Sequence, residues 1–422
     1  MKLNKDQQSA VTHIYENGET YLVGQMGSGK TVVALTAMRE LLDEGVVKRV
    51  LIVAPKAVLT VWPAECLKWD HLKSTNIKVC QGPVKHRCEI VWGEPQIMAI
   101  SFDNLAWLGV AISHFDMIII DEVSKMKAGG VAFKRLRKYL KGFEVKLVMS
   151  GTPVSENWEG LFYPMMIVNP VFGNNKSVWL AKYFQEDYSG YSHTLIKPKE
   201  IAEAIAPYMY VLPDYVAELP PLDLDTVLLD MDSLSMEAYK RLERDSVVDL
   251  PQGQIVADNG AILKGKLQQF ASGFLYTDDA TIQIHEVKTD WIVDLYRGRT
   301  VFVYSFTEEL RRLREIYPDG EQYSTESLER FREGKISRLF LHPKSAGHGV
   351  DLTCCSNMIF MSPVWSRDLF RQTVARIWRR GQTETCFVRV LCCAGTVDLE
   401  MVGREANKAS HHDLLMTLIS HP

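Results

Sequence analysis

No apolar run in this 422-residue chain approaches the roughly twenty residues that a helix needs to cross a bilayer, which excludes a helical membrane span. Positive charge is not in excess either: 48 Lys and Arg face 52 Asp and Glu, for a net charge of −4. That excludes nucleic-acid binding by bulk charge and leaves room only for a local basic channel. The eight cysteines contain no Cys-x-x-Cys pair, and four of them form adjacent pairs in apolar, strand-like runs. Reduced core thiols in an intracellular protein are therefore expected. His71, Cys80, His86 and Cys88 fit no standard zinc spacing. The polar, helix-like opening Met1-Lys2-Leu3-Asn4-Lys5-Asp6 lacks the apolar core of a signal peptide, so a soluble, cytoplasmic protein is expected. Low-complexity tracts and solenoid repeats are also missing.

What is present starts with 46% hydrophobic residues, enough to fill the cores of two or three domains at this length. The most informative stretch is Gly24-Gln25-Met26-Gly27-Ser28-Gly29-Lys30-Thr31, which follows the apolar Tyr21-Leu22-Val23. Val32, Val33, Leu35, Met38, Leu41 and Leu42 then recur at helical spacing, so the order is strand, glycine loop, helix. In this phosphate-loop pattern, Gly24, Gly27 and Gly29 let backbone N–H groups, with Ser28, curl around phosphates at a helix N-terminus. Lys30 would neutralise the β- and γ-phosphates of ATP, and the Thr31 hydroxyl would help to hold Mg²⁺. The plainer alternative is a glycine-rich turn.

Short β-rich runs alternate with helical segments up to about residue 160: Tyr21–Val23, Val50–Ala54, Ile97–Ile100, Met117–Ile120 and Lys146–Met149. That rhythm predicts an α/β fold, a parallel sheet with helices on both faces and ligands at the strand ends. Residues 161–225 read as helices and a connection, with Asn169-Pro170 and Leu219-Pro220-Pro221 as punctuation. From 226 to 422 a helical stretch, Ser235 to Arg244, and a Gly/Asp-rich loop, Pro251–Gly260, precede a second α/β rhythm. Its strand candidates are Thr300–Tyr304, Arg338–Leu341, Asn357–Met361 and Phe387–Leu391, and it has no second phosphate loop.

Met117-Ile118-Ile119-Ile120-Asp121-Glu122 is an apolar strand ending in two carboxylates. ATP hydrolysis uses such a pair, Asp121 to hold Mg²⁺ and Glu122 to orient and deprotonate water. Alone the pair also describes a solvated turn; its position downstream of a phosphate loop gives it weight. Met149-Ser150-Gly151-Thr152-Pro153 ends another strand with small hydroxyls that could sense the γ-phosphate, or simply cap a turn. Near the C-terminus, Gln372-Thr373-Val374-Ala375-Arg376-Ile377-Trp378-Arg379-Arg380-Gly381-Gln382 puts Arg376 and Arg379 three apart, on one face of a predicted helix. Two guanidiniums so placed can clamp phosphate oxygens and act as arginine fingers; a surface basic helix is the alternative.

Together these stretches make the chain resemble a superfamily 2 helicase-type ATPase of the Snf (chromatin-remodelling, DNA-translocase) kind, nearly end to end. Leu3-Asn4-Lys5-Asp6-Gln7 resembles the Q motif, implying that Gln7 reads adenine. Val50-Leu51-Ile52-Val53-Ala54-Pro55 with Trp62 and Glu65 resembles motif Ia, and Ala99-Ile100-Ser101-Phe102 motif Ib. Asp121-Glu122-Val123-Ser124 with Lys127 stands at motif II, and Ser150-Gly151-Thr152-Pro153 with Asn157 and Leu161 at motif III. Glu218-Leu219-Pro220-Pro221 matches the connection, Val303-Tyr304-Ser305-Phe306 motif IV, and Ser345-Ala346-Gly347-His348-Gly349-Val350-Asp351-Leu352 motif V. Gln372, Arg376, Arg379, Gly381 and Gln382 fit the Snf-type motif VI.

The resemblance implies two RecA-like lobes, ATP and Mg²⁺ as cofactors, and duplex DNA as the partner of a monomeric core. Gly349, Asp351 and Gln372 would join the nucleotide site; Lys56, Ser101, Thr152, Ser305 and Ser345 would touch nucleic acid. The basic stretch Phe133–Lys141 would turn Phe133, Leu136 and Leu140 inward and its charges outward, as a track contact or a merely solvated face. Three departures stand out: Ser124 in place of the usual His, Asp351 in place of Asn, and Tyr210-Val211-Leu212-Pro213 in place of a basic interdomain brace. The long remodeller insertions are missing, which suggests a stripped motor of bacterial or viral origin. Strand-separating helicases, RNA helicases and non-catalytic ATP-gated modules are the alternatives; Lys30, Glu122, Arg376 and Arg379 argue against the last.

Overall fold

The computed structural model describes residues 2–403 except Met26 and the segments 127–128, 155–157, 187–192, 214–218, 251–252, 257–258, 278–279, 294–297 and 346–349. Lys127, Asn157, Glu218, Gly349 and Ala346 to His348, singled out above, thus lie outside the described residues. The chain forms two compact units that divide between residues 217 and 218.

In the first unit, helix α1 (Lys5–Asn17) opens with a reciprocal cap: Asn4 Oδ1 accepts from Gln7 N at 2.8 Å and Gln7 Oε1 accepts from Asn4 N at 3.0 Å. Strand β1 (Glu19–Val23) leads through the glycine loop into helix α2 (Lys30–Asp43). There follow β2 (Val50–Ala54), β3 (Ile77–Cys80), β4 (Ile97–Ser101), β5 (Met117–Asp121) and β6 (Val145–Ser150). A small antiparallel pair, β7 (Phe184–Glu186) and β8 (His193–Leu195), precedes β9 (Met209–Val211). The main sheet has seven strands in the order β3-β4-β2-β5-β6-β1-β9, all parallel. Alternation along each strand feeds both faces. Ile118 and Ile120 join one apolar cluster while Met117 and Ile119 join the other, as a sheet covered by helices on both sides requires.

The second unit begins with β10 (Leu222–Leu229). Two antiparallel hairpins follow: β11 (Val247–Leu250) with β12 (Gly253–Val256), and β13 (Phe274–Tyr276) with β14 (Thr281–Gln283). The stretch Pro251–Gly260, expected as a loop, therefore contains a hairpin strand. The sheet continues with β15 (Thr300–Val303), β16 (Glu321–Gln322), β17 (Arg338–Leu341), β18 (Asn357–Phe360) and β19 (Cys386–Cys393). Its order is β10-β19-β18-β15-β17-β16, again all parallel. Two parallel sheets of this kind are the α/β class expected. Cys354 and Cys355 sit in a turn before β18 rather than in a strand, and all eight cysteines are free thiols.

The residues Tyr210 and Val211, a departure from the expected brace, extend the first sheet as part of β9. Leu212 N donates to Val23 O at 2.8 Å, and Tyr210 stacks on His13 with ring centroids 5.1 Å apart. No helix among the described residues is long and apolar enough to cross a membrane.

Candidate nucleotide and nucleic-acid sites

Parallel register brings three polar strand ends to one edge of the first sheet. Val23 pairs with Ser150 and Asp121 with Met149, so the glycine loop, the carboxylate pair and Ser150-Gly151-Thr152 emerge side by side. Gly24 N donates to Ser150 O at 3.2 Å, which ties the loop to the third motif.

The loop glycines are there for space and for handedness. A Cβ on Gly24 would meet Ser28 Oγ at 2.6 Å; Gly29, the N-cap of α2, has φ +88° and its Cβ would lie 2.2 Å from Gln7 Nε2. Gln7 is buried and donates from Nε2 to Ser28 O at 3.2 Å. Its amide thus braces the phosphate loop from below and closes the cap of α1 with its other end. Ser28 Oγ, buried at the centre of the loop, has no hydrogen-bond partner among the described residues.

Lys30 Nζ bonds the carbonyls of Gly24 and Gln25, the latter at 2.9 Å. Burial lowers the Lys30 pKa, opposed by the nearby Asp121 and Glu122 carboxylates. Burial and then the Glu122 charge push Asp121 up to about 6, with Lys30 acting the other way. Glu122 has φ +59°, a left-handed backbone that few non-glycine residues adopt. Its carboxylate accepts from Ser124 Oγ, so the residue that departs from the motif holds the neighbouring acid. Asp121 and Glu122 act on each other and on Lys30, and Thr31 follows Lys30 at the start of α2; carboxylate and hydroxyl oxygens are hard donors of the kind that suits Mg²⁺.

Around the same edge, Lys56 is exposed in the turn after β2, and Thr152 is partly exposed with its N–H bonded to Ser150 Oγ at 3.1 Å. Ser101 differs from expectation. It is 1% exposed and its hydroxyl accepts from Asn104 N at 3.3 Å to cap the helix Phe102–Leu108, so it does not face a ligand.

In the second unit the expected helix carrying both arginines stops early. It spans Arg367–Val374, and Arg376 and Arg379 lie in the turns beyond it. The carbonyls that would continue the helix are taken elsewhere. Arg376 O accepts from Leu352 N at 3.0 Å, and Ile377 O accepts from Gln382 Nε2 at 3.1 Å. Gln382 also donates to Cys355 O and accepts from the N–H groups of Thr383 and Glu384, so this closing residue of the motif is a structural clamp. Trp378 Nε1 donates to Pro220 O at 2.8 Å and fixes the connecting Leu219-Pro220-Pro221 to the same turn.

Arg376 is 1% exposed, and its Nε and Nη1 have no partner among the described residues. Burial, then the Arg379 charge, lower its pKa to about 10. Asp351 lies close by. Although burial works against it, bonds from the Thr353 N–H (3.0 Å) and hydroxyl (2.8 Å), then Arg379 and Arg332, hold its carboxyl below the usual range. Asp351, Arg376 and Arg379 are therefore one constellation, and Gln372 stands half-buried on the helix leading into it. Ser305 after β15 donates its N–H to Glu309 Oε2 at 2.7 Å, and Ser345 is exposed in the turn after the neighbouring β17.

Residues 7–276 match the model of the SNF2-related domain, and residues 294–381 that of the helicase conserved C-terminal domain. A putative protein p41 from Acyrthosiphon pisum secondary endosymbiont phage 1 is 27% identical over 96% of this chain and 96% of its own. The DNA repair and recombination protein RAD54B of Gallus gallus is 23% identical over 92% of this chain but only 50% of its own. A solved Sulfolobus solfataricus SWI2/SNF2 ATPase core in complex with dsDNA aligns over 98% of this chain and 93% of its own, with TM-score 0.48 and 18% identity.

Proposed function

Because the chain belongs to the SNF2-related family, whose members hydrolyse ATP, we propose that it is a motor that moves along duplex DNA without sequence specificity. The observation that carries the motor chemistry is the buried Arg376 guanidinium beside Arg379, with Nε and Nη1 unbonded among the described residues, in a unit with no phosphate loop of its own. Such a cation calls for a phosphate from outside its own unit. The family match, and relatives such as one named for DNA repair and recombination, support DNA as the track.

We assign the roles from the motifs together with the contacts described above. The glycine-loop N–H groups and Ser28 hold the phosphates, Gln7 supports that loop at the adenine end, and Lys30 leaves its two carbonyls to neutralise phosphate charge. Mg²⁺, held by Thr31 and Asp121, would supply charge neutralisation at the β- and γ-oxygens. Glu122, fixed by its backbone and by Ser124, orients and deprotonates the attacking water. Arg376 and Arg379 stabilise charge on the γ-phosphoryl group, and Gly349, Asp351 and Gln372 contribute to nucleotide binding. Lys56, Thr152, Ser305 and Ser345 contact the sugar-phosphate backbone, Ser305 and Thr152 through small groups and Lys56 by charge.

The test is displacement of a third strand from triplex DNA under ATP, with Glu122→Gln as the blank. ATP-dependent displacement with the underlying duplex intact supports translocation. Separation of the two duplex strands would make the protein a helicase, and no displacement on any substrate would overturn the motor assignment.

A further inference from the structure

The first unit carries a second concave site that the chemistry above leaves unassigned. A cavity of about 440 Å³ is lined by Gly129, Phe133, Lys134, Arg137, Lys138 and Tyr163. Residues 123–143 contain seven Lys and Arg and no Asp or Glu, in a chain whose net charge is −4. The helix there is short, Val131–Leu136, with a turn continuing to Leu140; Phe133, Leu136 and Leu140 are buried while Lys134, Arg137 and Lys138 are exposed. Arg137 gives one long bond to Asn174 O at 3.4 Å, and neither lysine has a partner among the described residues. Like charges one turn apart repel. Three of them around one concavity leave a deficit that an anionic ligand would fill.

The walls are rigid where it matters. Phe133, 3% exposed, packs edge-on against Tyr163 at 4.7 Å between centroids. Gly129 has φ +64°, and a Cβ there would stand 2.5 Å from Tyr163 Cζ, so only glycine lets the loop close on that ring. Gly129 lies just beyond the turn Val123–Met126 that follows Glu122, and Tyr163 just beyond the turn Trp158–Leu161 that follows the Ser150–Thr152 motif. An occupant of the cavity touches both segments leaving the strands β5 and β6.

We infer that this cavity binds the phosphodiester backbone of duplex DNA and thereby couples the track to the ATP site; the choice of DNA rests on the proposed function. Among the described residues the charged lining is cationic only, Lys134, Arg137 and Lys138, and these cations are spread over more than one turn. That suits a row of phosphates better than a single small anion.

The test compares the full chain with the triple variant Lys134→Gln, Arg137→Gln, Lys138→Gln, and with a control, Lys78→Gln with Lys85→Gln, from exposed positions elsewhere in the same unit. Binding of a labelled DNA duplex is followed from low to moderate salt, beside ATPase without polymer. The triple variant should bind at least about tenfold more weakly, with the slope of log affinity against log salt shallower by up to about 2.7, since each lost phosphate contact removes about 0.9. Its polymer-free ATPase should be unchanged, and the control should shift by clearly less. Equal affinity and slope for triple variant and wild type, an equal shift in the control, or a wild type that binds duplex RNA and not DNA would each overturn the inference. If the wild type binds duplex DNA but its ATPase does not respond, the motor assignment fails while the binding comparison still decides the cavity.

Discussion

At the level of single residues, the active-site geometry makes sharp demands. Lys30→Ala should abolish hydrolysis, and Glu122→Gln should retain ATP binding without turnover; phosphate release and nucleotide-binding titrations check both. Gly29→Ala adds a Cβ where Gln7 Nε2 lies 2.2 Å away and where φ is +88°. It should weaken ATP binding well beyond tenfold, and pairing it with Gln7→Ala should restore only part, because the backbone strain remains. Arg376 gives a prediction of opposite signs. Replacing a buried cation whose Nε and Nη1 are unbonded among the described residues by Arg376→Met should raise the thermal midpoint, because desolvation of that charge is removed, while kcat falls by up to roughly 10³-fold. A lowered midpoint with unchanged kcat would make Arg376 a structural residue. Among these residues, the glycines, Lys30, Asp121 and Glu122 were legible in the sequence because their spacing is local. The Gln382 clamp was not, since folding has to bring Cys355 to it, and the Ser124 bond to its near neighbour Glu122 depends on the left-handed backbone at Glu122.

At the level of elements, the long apolar strands β1, β5 and β6 announced themselves, each burying nearly every residue. Strand β9 did not, being three residues that borrow their order from β1, and β3 was hidden because only Ile77 and Cys80, at its two ends, are buried, which gives no period-2 pattern. The spacing of Arg376 and Arg379 suggested a helix, but tertiary bonds to the carbonyls of Arg376 and Ile377 override local propensity. The region between β13, β14 and the helix Val287–Val293 supplies a pH prediction. His285 is 9% exposed and its Nε2 bonds Phe270 O at 3.0 Å; burial first, then Lys288, lower its pKa to about 4. The folded state keeps it neutral while the unfolded chain protonates it near 6.5, so its contribution is present above that value and lost as pH falls towards 4. Below pH 4 the loss should be about 3 kcal/mol. Denaturation of the wild type and His285→Gln across pH 4–7 should show a steeper acid loss for the wild type; parallel curves would contradict the assignment.

At the level of the whole molecule, the second unit repeats the parallel-sheet plan of the first without its phosphate loop, and carries instead the pair Arg376 and Arg379 beside Asp351, with two nitrogens of the buried Arg376 unbonded among the described residues. That division of labour was readable from the motif order along the chain. The basic cavity between Gly129 and Tyr163 was only half readable: the charge run is visible in sequence, but the ring that walls it comes from a later segment. The most direct measurement is the ATP hydrolysis rate with no polymer, single-stranded DNA, duplex DNA and structured RNA, with Glu122→Gln as the blank. A DNA translocase should be stimulated most strongly by duplex DNA, with stimulation that fades as salt rises. Stimulation by single strands or RNA alone, or a rate indifferent to every polymer, would contradict it.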